Sequence, residues 1–231
     1  MKPHEPIGAQ ARLRSLLAVL QLASPALPVG GFAYSQGLES AIEDRIVVDE
    51  SSAGRWIGDA LMLVVARLEA PLWLRAHDAA ARADHAGFAR VNAELLASRE
   101  TRELRDETRQ MGVSMLRVYP ALNILPPTVG SRGIAYPAAF AWACAALGVD
   151  REAGLAAYLW AWFENQVLAA VKTVPLGQMA GQRLLATGHT SITRAIEIAG
   201  ALGDEALGTC AVQFAVTCAR HEAQYSRLFR S

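Results

Sequence analysis

A serine in the stretch Ala33-Tyr-Ser-Gln-Gly37 stands one residue short of the Gly-x-Ser-x-Gly elbow that presents a nucleophile in α/β-hydrolases. That elbow needs a β-strand ahead of the serine. Here the preceding residues, Ser24 to Gly31, form a proline- and glycine-rich turn, so a rigid turn anchored by Phe32 and Tyr34 is the plainer reading and a hydrolase using Ser35 the sharper alternative. A second candidate is the pair Cys218 and His221, three residues apart on one helical face, with Cys210 two turns earlier. A structural metal site needs a second pair of ligands, and none is spaced to join them. His4, His77 and His85 fall in no ligand spacing and read as solvent-facing imidazoles. No Gly-x-x-x-x-Gly-Lys-Ser/Thr loop is present to cradle a nucleotide phosphate. The residue types offer little with which to run a reaction.

Composition points the same way. The chain of 231 residues is 52% hydrophobic and rich in Ala and Leu, which favours helices over strands. Its 22 basic and 22 acidic side chains cancel, so no overall field recruits nucleic acid. The three cysteines cannot all pair and form no Cys-x-x-Cys, as in a reduced, cytoplasmic protein. No signal peptide is expected at the N-terminus, and the uncharged run Gly133–Val149 is short for a membrane span and contains Pro137. A soluble protein with no membrane partner is expected.

The elements that must position these residues read as a single-domain, all-α bundle of roughly nine to ten helices over residues 1–231. Residues 1–8 read as a loose arm. Leu13, Leu16, Leu17 and Leu20 then recur at helical spacing, with Arg12 and Arg14 off that face, and Pro25 and Pro28 stop this helix by about Ser24. After the glycines, Tyr34, Leu38 and Ile42 resume the helical period, which would set Phe32 to Ser35 at a helix mouth, where unpaired N–H groups favour an acidic partner. Asp49 or a following serine caps a long helix running to Pro71, a further helix extends to Ala83, and another opens at Asp84 or His85 and leads into the charged segment Ser98–Gly112. Within that segment Arg99–Glu103 and Arg102–Asp106 stand at i,i+4, as on a solvated face. Pro120 to Pro137 reads as a long loop, and Pro137 starts the next helix.

Asp150 caps a helix reaching about Thr173 that is apolar nearly all round, so it is either central to the core or shared with a second subunit. Lys172 near its end complements the helix dipole or meets an acidic partner. Gly177 and Gly181, four apart, permit close helix approach. Thr190 or Ser191 is expected to cap a separate short helix, and a last one starts near Leu207 with Val212, Ala215 and Val216 inward. Residues 222–231 form a tail in which Tyr225, Leu228 and Phe229 alternate with Arg227 and Arg230. Such a terminus either docks on a partner or folds back on its own bundle.

Four pieces in this order carry a resemblance: Ser24-Pro-Ala-Leu-Pro-Val-Gly-Gly-Phe-Ala-Tyr-Ser-Gln-Gly-Leu-Glu39, Ser98-Arg-Glu-Thr-Arg-Glu103 through Met111-Gly112, Val174-Pro-Leu-Gly-Gln178, and Gln224-Tyr-Ser-Arg-Leu-Phe-Arg-Ser231. Over essentially its whole length the chain resembles the urease accessory protein UreF family. The resemblance implies an all-α homodimer with no enzymatic activity of its own, and the residues themselves offer no cofactor or metal site. It further implies a role in nickel insertion, bridging the UreD/UreH scaffold protein and the GTPase UreG while nickel is delivered to apo-urease. Carried onto this chain, the partner-contact positions are Phe32 and Tyr34 in the hinge, Lys172, and Tyr225, Arg227 and Phe229 in a tail that becomes ordered on meeting UreD/UreH. The other readings that stay open are a nickel-binding carrier and the Ser35 hydrolase.

Overall fold

The computed structural model describes residues 7–209 and 211–231, in which ten α-helices and no strand occur. His4, Cys210 and most of the expected N-terminal arm lie outside the described residues. The helices are α1 (Ile7–Ala23), α2 (Leu38–Glu43), α3 (Glu50–Leu63), α4 (Glu69–Ala81), α5 (His85–Ala97), α6 (Arg102–Val118), α7 (Tyr136–Ala146), α8 (Arg151–Thr173), α9 (Gln178–Ala201) and α10 (Val212–His221).

Short polar side chains fix where several of them begin. Asp49 and Ser52 form a reciprocal capping box on α3. The Asp84 carboxylate accepts from Gly87 N–H, and that of Asp150 from Glu152 and Ala153 N–H. Thr101 caps α6, so the expected run from Asp84 into the charged segment is two helices broken at Ser98–Thr101. The long helix expected up to Pro71 is likewise broken, by a 3-10 turn at Val65–Arg67, which lets Pro71 sit in the first turn of α4.

The core is built by α4, α7, α8 and α9. Trp73 and Leu72 of α4 are fully buried, as are Ala138, Ala139, Ala141 and Ala143 of α7; side chains this small let α7 lie close against its neighbours. Tyr158, Leu159, Trp162, Gln166 and Val167 of α8 are buried in the same mass, so this helix is central to the chain's own core. The long loop before α7 is pinned by Asn92, whose side chain donates to Gly133 O at 2.9 Å and accepts from Ala135 N–H at 2.8 Å.

Four expectations are corrected. His77 is buried, not solvent-facing: its ring stacks on Trp73 and its Nε2 lies 3.1 Å from Val149 O. α9 runs unbroken through Thr190 and Ser191 because Gly188 brings it against Phe163 of α8, where an added Cβ would sit 2.9 Å from the ring. Gly181 makes the same close approach to Val171, whereas Gly177 caps the helix and touches nothing there. On α10, Val212 and Val216 face outward, and Thr217, Cys218 and His221 are the buried residues.

Candidate docking site at the hinge and the tail

The hinge between α1 and α2 is an irregular segment tied down at several points. Gly30 and Gly37 both adopt φ of +79°, a left-handed conformation that glycine takes without strain, and a 3-10 turn spans Gly31–Ala33. A Cβ on Gly37 would stand 2.8 Å from the Cys218 sulfur, so glycine there also lets α10 close over the hinge. Because α2 begins only at Leu38, Phe32 to Ser35 lie one loop ahead of the helix mouth expected for them.

From this segment Tyr34 turns inward. It is buried, its hydroxyl donates to Gln110 of α6 at 2.9 Å, and its carbonyl accepts from Asn165 of α8 at 3.1 Å. Burial, with the charge of Glu107 adding to it, raises the phenol above its ordinary value. Gln36 bridges the same two helices, donating to Glu107 at 2.7 Å and accepting from Trp162 Nε1 at 2.7 Å. Phe32 points the other way and is 76% exposed.

Ser35 is fully buried, and its hydroxyl donates to the Ser231 main-chain oxygen at 2.7 Å. With no strand before it and no histidine among its hydrogen-bond partners, this serine has neither the presentation nor the base a nucleophile needs.

The tail lies folded on the hinge. The Ser35 and Gln36 N–H groups donate to the Ser231 oxygen at 2.6 and 3.0 Å, and Arg230 N–H donates to Ala33 O at 2.8 Å. Glu39 of α2 accepts from Leu228 N–H at 2.7 Å and Phe229 N–H at 3.0 Å. Arg227 pairs with Glu103 at the start of α6, and the Ser231 hydroxyl donates to Glu107 at 2.5 Å. Phe229 is buried beneath Lys172, whose ammonium stands 5.2 Å from the ring centroid, within cation–π range. Tyr225 is fully exposed.

Of the six positions singled out from sequence, Lys172 and Phe229 therefore meet each other, Tyr34 and Arg227 are engaged with α6, and Phe32 and Tyr225 project into solvent. The holders of the tail, Glu39, Glu103, Glu107 and Ser35, all sit inside the hinge and charged motifs, yet none was singled out for this role, because an acid that accepts main-chain N–H groups has no spacing signature.

Beside the hinge a cleft of about 120 Å³ opens between α1, α6, α7 and α8. Its walls include Leu22, Leu27, Phe32 and Leu168, and an ionic cluster lines its depth. There Arg99 pairs with Glu69, which also accepts from the Tyr158 hydroxyl at 2.6 Å. Arg99 thus leaves the helical pair with Glu103 expected of it, while Arg102 and Asp106 do pair, at 3.5 Å. Burial raises Glu107 above the ordinary carboxyl range, an effect opposed by Ser231, Gln36 and Arg99.

The leucines of α1 are the largest departure from a buried apolar face. Leu13, Leu16, Leu17 and Leu20 are between 52% and 59% exposed, and Leu168 of α8 is 50% exposed. Among the described residues no group of three or more His, Cys, Asp or Glu side chains is set to hold a metal ion, and no helix is long and apolar enough to cross a membrane.

Comparison with known proteins finds relatives over most of the chain. The UreF family signature matches residues 47–189. A urease accessory protein UreF from Azoarcus sp. (strain BH72) is 48% identical over 95% of this chain and 97% of its own length. Another from Delftia acidovorans is 47% identical over 96% of this chain and 100% of its own. A bifunctional urease accessory protein UreEF from Bordetella bronchiseptica is 48% identical over 94% of this chain, which spans 52% of that longer protein. These relatives are named as accessory proteins, not as enzymes. With hinge, charged helix and tail all in place, the chain belongs to the UreF family of urease accessory proteins.

Proposed function

We infer that this chain is a cytoplasmic, non-enzymatic adaptor of urease maturation that works as a homodimer. It bridges the UreD/UreH scaffold protein and the GTPase UreG while nickel is inserted into apo-urease. The observation that carries the reading is the exposed apolar surface of α1 and the hinge: Leu13, Leu16, Leu17 and Leu20 stand exposed at helical spacing on α1, and Phe32 and Leu168, in the wall of the cleft, are exposed as well. Single exposed apolar residues are common, whereas a stripe of this kind is characteristic of a protein interface. The only charges on α1 are Arg12 and Arg14, so an acidic-rimmed partner suits the face. Nucleotide chemistry belongs to a partner in this reading, since no phosphate loop is present in the sequence.

Phe32, Tyr225, Arg227, Lys172 and, once the tail moves, Tyr34 and Phe229 are the scaffold contacts. A relative that carries UreE and UreF in one chain fits a role inside a multi-protein assembly. The test is size-exclusion chromatography with light scattering on the purified chain plus its UreD/UreH protein, beside a chain ending at Gln224. A defined complex with the intact chain, lost on truncation while the helical signal remains, is expected. Failure of the intact chain to co-elute with the scaffold would overturn the adaptor reading.

A further inference from the structure

Two helices each turn one face toward the cleft beside the hinge. On α6 that face is Leu104, Glu107, Thr108 and Met111, and on α8 it is Ala161, Glu164, Asn165 and Leu168, both at the i, i+3, i+4, i+7 spacing of a single helical stripe. In a closed bundle such stripes meet a third element. Here the end of α1 and the hinge, through Leu22, Leu27 and Phe32, wall the space without filling it. At about 120 Å³ it approaches the ~150 Å³ of a cavity that admits benzene, so it has room for one long side chain and none for a helix.

The charge within it is one-sided. Of the lining residues Arg99 is the single cation, against Glu69, Glu107 and Glu164. Arg99 is spent on Glu69, whose other oxygen holds the Tyr158 hydroxyl. Glu107 is met by the neutral donors of Gln36 and Ser231. Glu164 is met by nothing: partial burial alone raises its carboxyl, and no donor or cation acts on it among the described residues. Tyr136, in the same wall and only 8% exposed, has a hydroxyl that makes no hydrogen bond among the described residues. Phe32 and Trp162 add aromatic surface, whose faces attract cations.

A spare carboxylate, an unused hydroxyl and apolar and aromatic walls together suit an alkyl stem that ends in a positive charge. A purely apolar occupant would bury Glu164 unpaired, and an anionic one would be repelled by it. We propose that the cleft is a receptor for one basic side chain, arginine or lysine, presented by a protein partner. That the partner is the UreD/UreH scaffold rests on the adaptor reading; the chemistry of the cleft does not. A basic side chain here is compatible with an acidic rim against α1, since Arg12 and Arg14 precede Leu22 by more than two turns.

The experiment titrates butylguanidinium, a guanidinium on an alkyl stem, into the free full chain and follows the Trp162 indole N–H by NMR. A saturable shift with a dissociation constant of about 1–10 mM is expected for so few atoms. Butylurea, of the same shape without the charge, is expected to bind about fivefold more weakly. Glu164→Gln should weaken butylguanidinium by about the same factor, the upper range for a partly exposed ion pair, with the thermal midpoint unchanged because Glu164 holds nothing in the fold. The absence of a saturable shift overturns the proposal, and so does equal binding of the two compounds or of the two chains. The scaffold is then titrated against wild-type and Glu164→Gln. Binding weakened about fivefold in the variant supports the anchor, whereas equal binding overturns it and leaves the adaptor reading standing. A scaffold that binds neither chain overturns the adaptor reading and the scaffold's part in the cleft, and the chemistry of the cleft is decided by butylguanidinium. Light scattering over a range of concentrations covers the other occupant: a wild-type dimer that Glu164→Gln dissociates would put the basic side chain on a second copy and overturn its assignment to another protein.

Discussion

Ser35 and Ser231, 196 residues apart in sequence, are joined twice: the Ser35 hydroxyl and its own N–H both donate to the Ser231 oxygen. With the Gln36 N–H, three donors converge on that one acceptor and hold the end of the tail in place. Ser35→Ala removes one of them, and a net hydrogen bond of about 1 kcal/mol corresponds to roughly fivefold more frequent tail opening. Exchange of the Arg230 amide, which donates to Ala33 O, reads this directly. Unchanged exchange in the variant would mean that the remaining contacts suffice.

The α1 leucines separate docking from folding. Leu16→Asp with Leu17→Asp changes side chains that are more than half exposed, so the thermal midpoint of the isolated chain should hardly move, with an effect within about 0.5 kcal/mol per site. Co-elution with the UreD/UreH scaffold should be lost. A large fall in the midpoint with binding retained would place these leucines in the fold instead.

Glycine positions give a graded stability test. A Cβ on Gly112 would stand 2.2 Å from the Ile134 carbonyl oxygen, which is backbone and cannot rotate away. Gly112→Ala is expected to cost about 3 kcal/mol, at the upper end of overpacking effects, by urea unfolding. Gly58, inside α3, has nothing within 4 Å of the added atom, and Gly58→Ala should stabilise by about 0.5–1 kcal/mol through helix propensity alone.

Glu107 makes stability depend on pH with a definite sign. Its carboxyl is raised in the folded chain, so the folded state binds its proton more tightly than the unfolded state does. The stabilisation from this group is complete below the unfolded value of about 4.3 and is lost as the pH climbs through the raised folded value. Glu107→Gln cannot ionise, so relative to it the wild-type should lose stability as the pH is raised from about 4.3. Denaturant midpoints of the two proteins across that range check it, and parallel curves would contradict it.

Much of the architecture was legible because helix punctuation is local. Asp49, Asp84, Asp150 and Pro137 mark helix starts through contacts with residues two or three positions away or through a fixed φ, and such rules need no knowledge of the fold. What stayed hidden depended on partners distant in sequence. Thr190 and Ser191 look like caps until Gly188 is seen seated on Phe163. Arg99 looks like one half of a helical pair until Glu69, thirty residues earlier, is brought beside it. At the site, the aromatic and basic residues of the tail drew notice by type, whereas Glu39 and Glu103 matter through where the tail happens to arrive. The exposure of the α1 leucines was hidden for the same reason: spacing shows that four side chains share a face, not which way the face is turned.

The closure of the hinge by the tail sets an order on the birth of the fold. Residues 33–39 are made long before their main-chain partners at 228–231, which exist only once the chain has been synthesised through Ser231. Contacts of such long sequence separation form late, after the helices between them have condensed. While the residues between are being made the segment with Glu39 therefore remains open, and it closes only when the tail arrives.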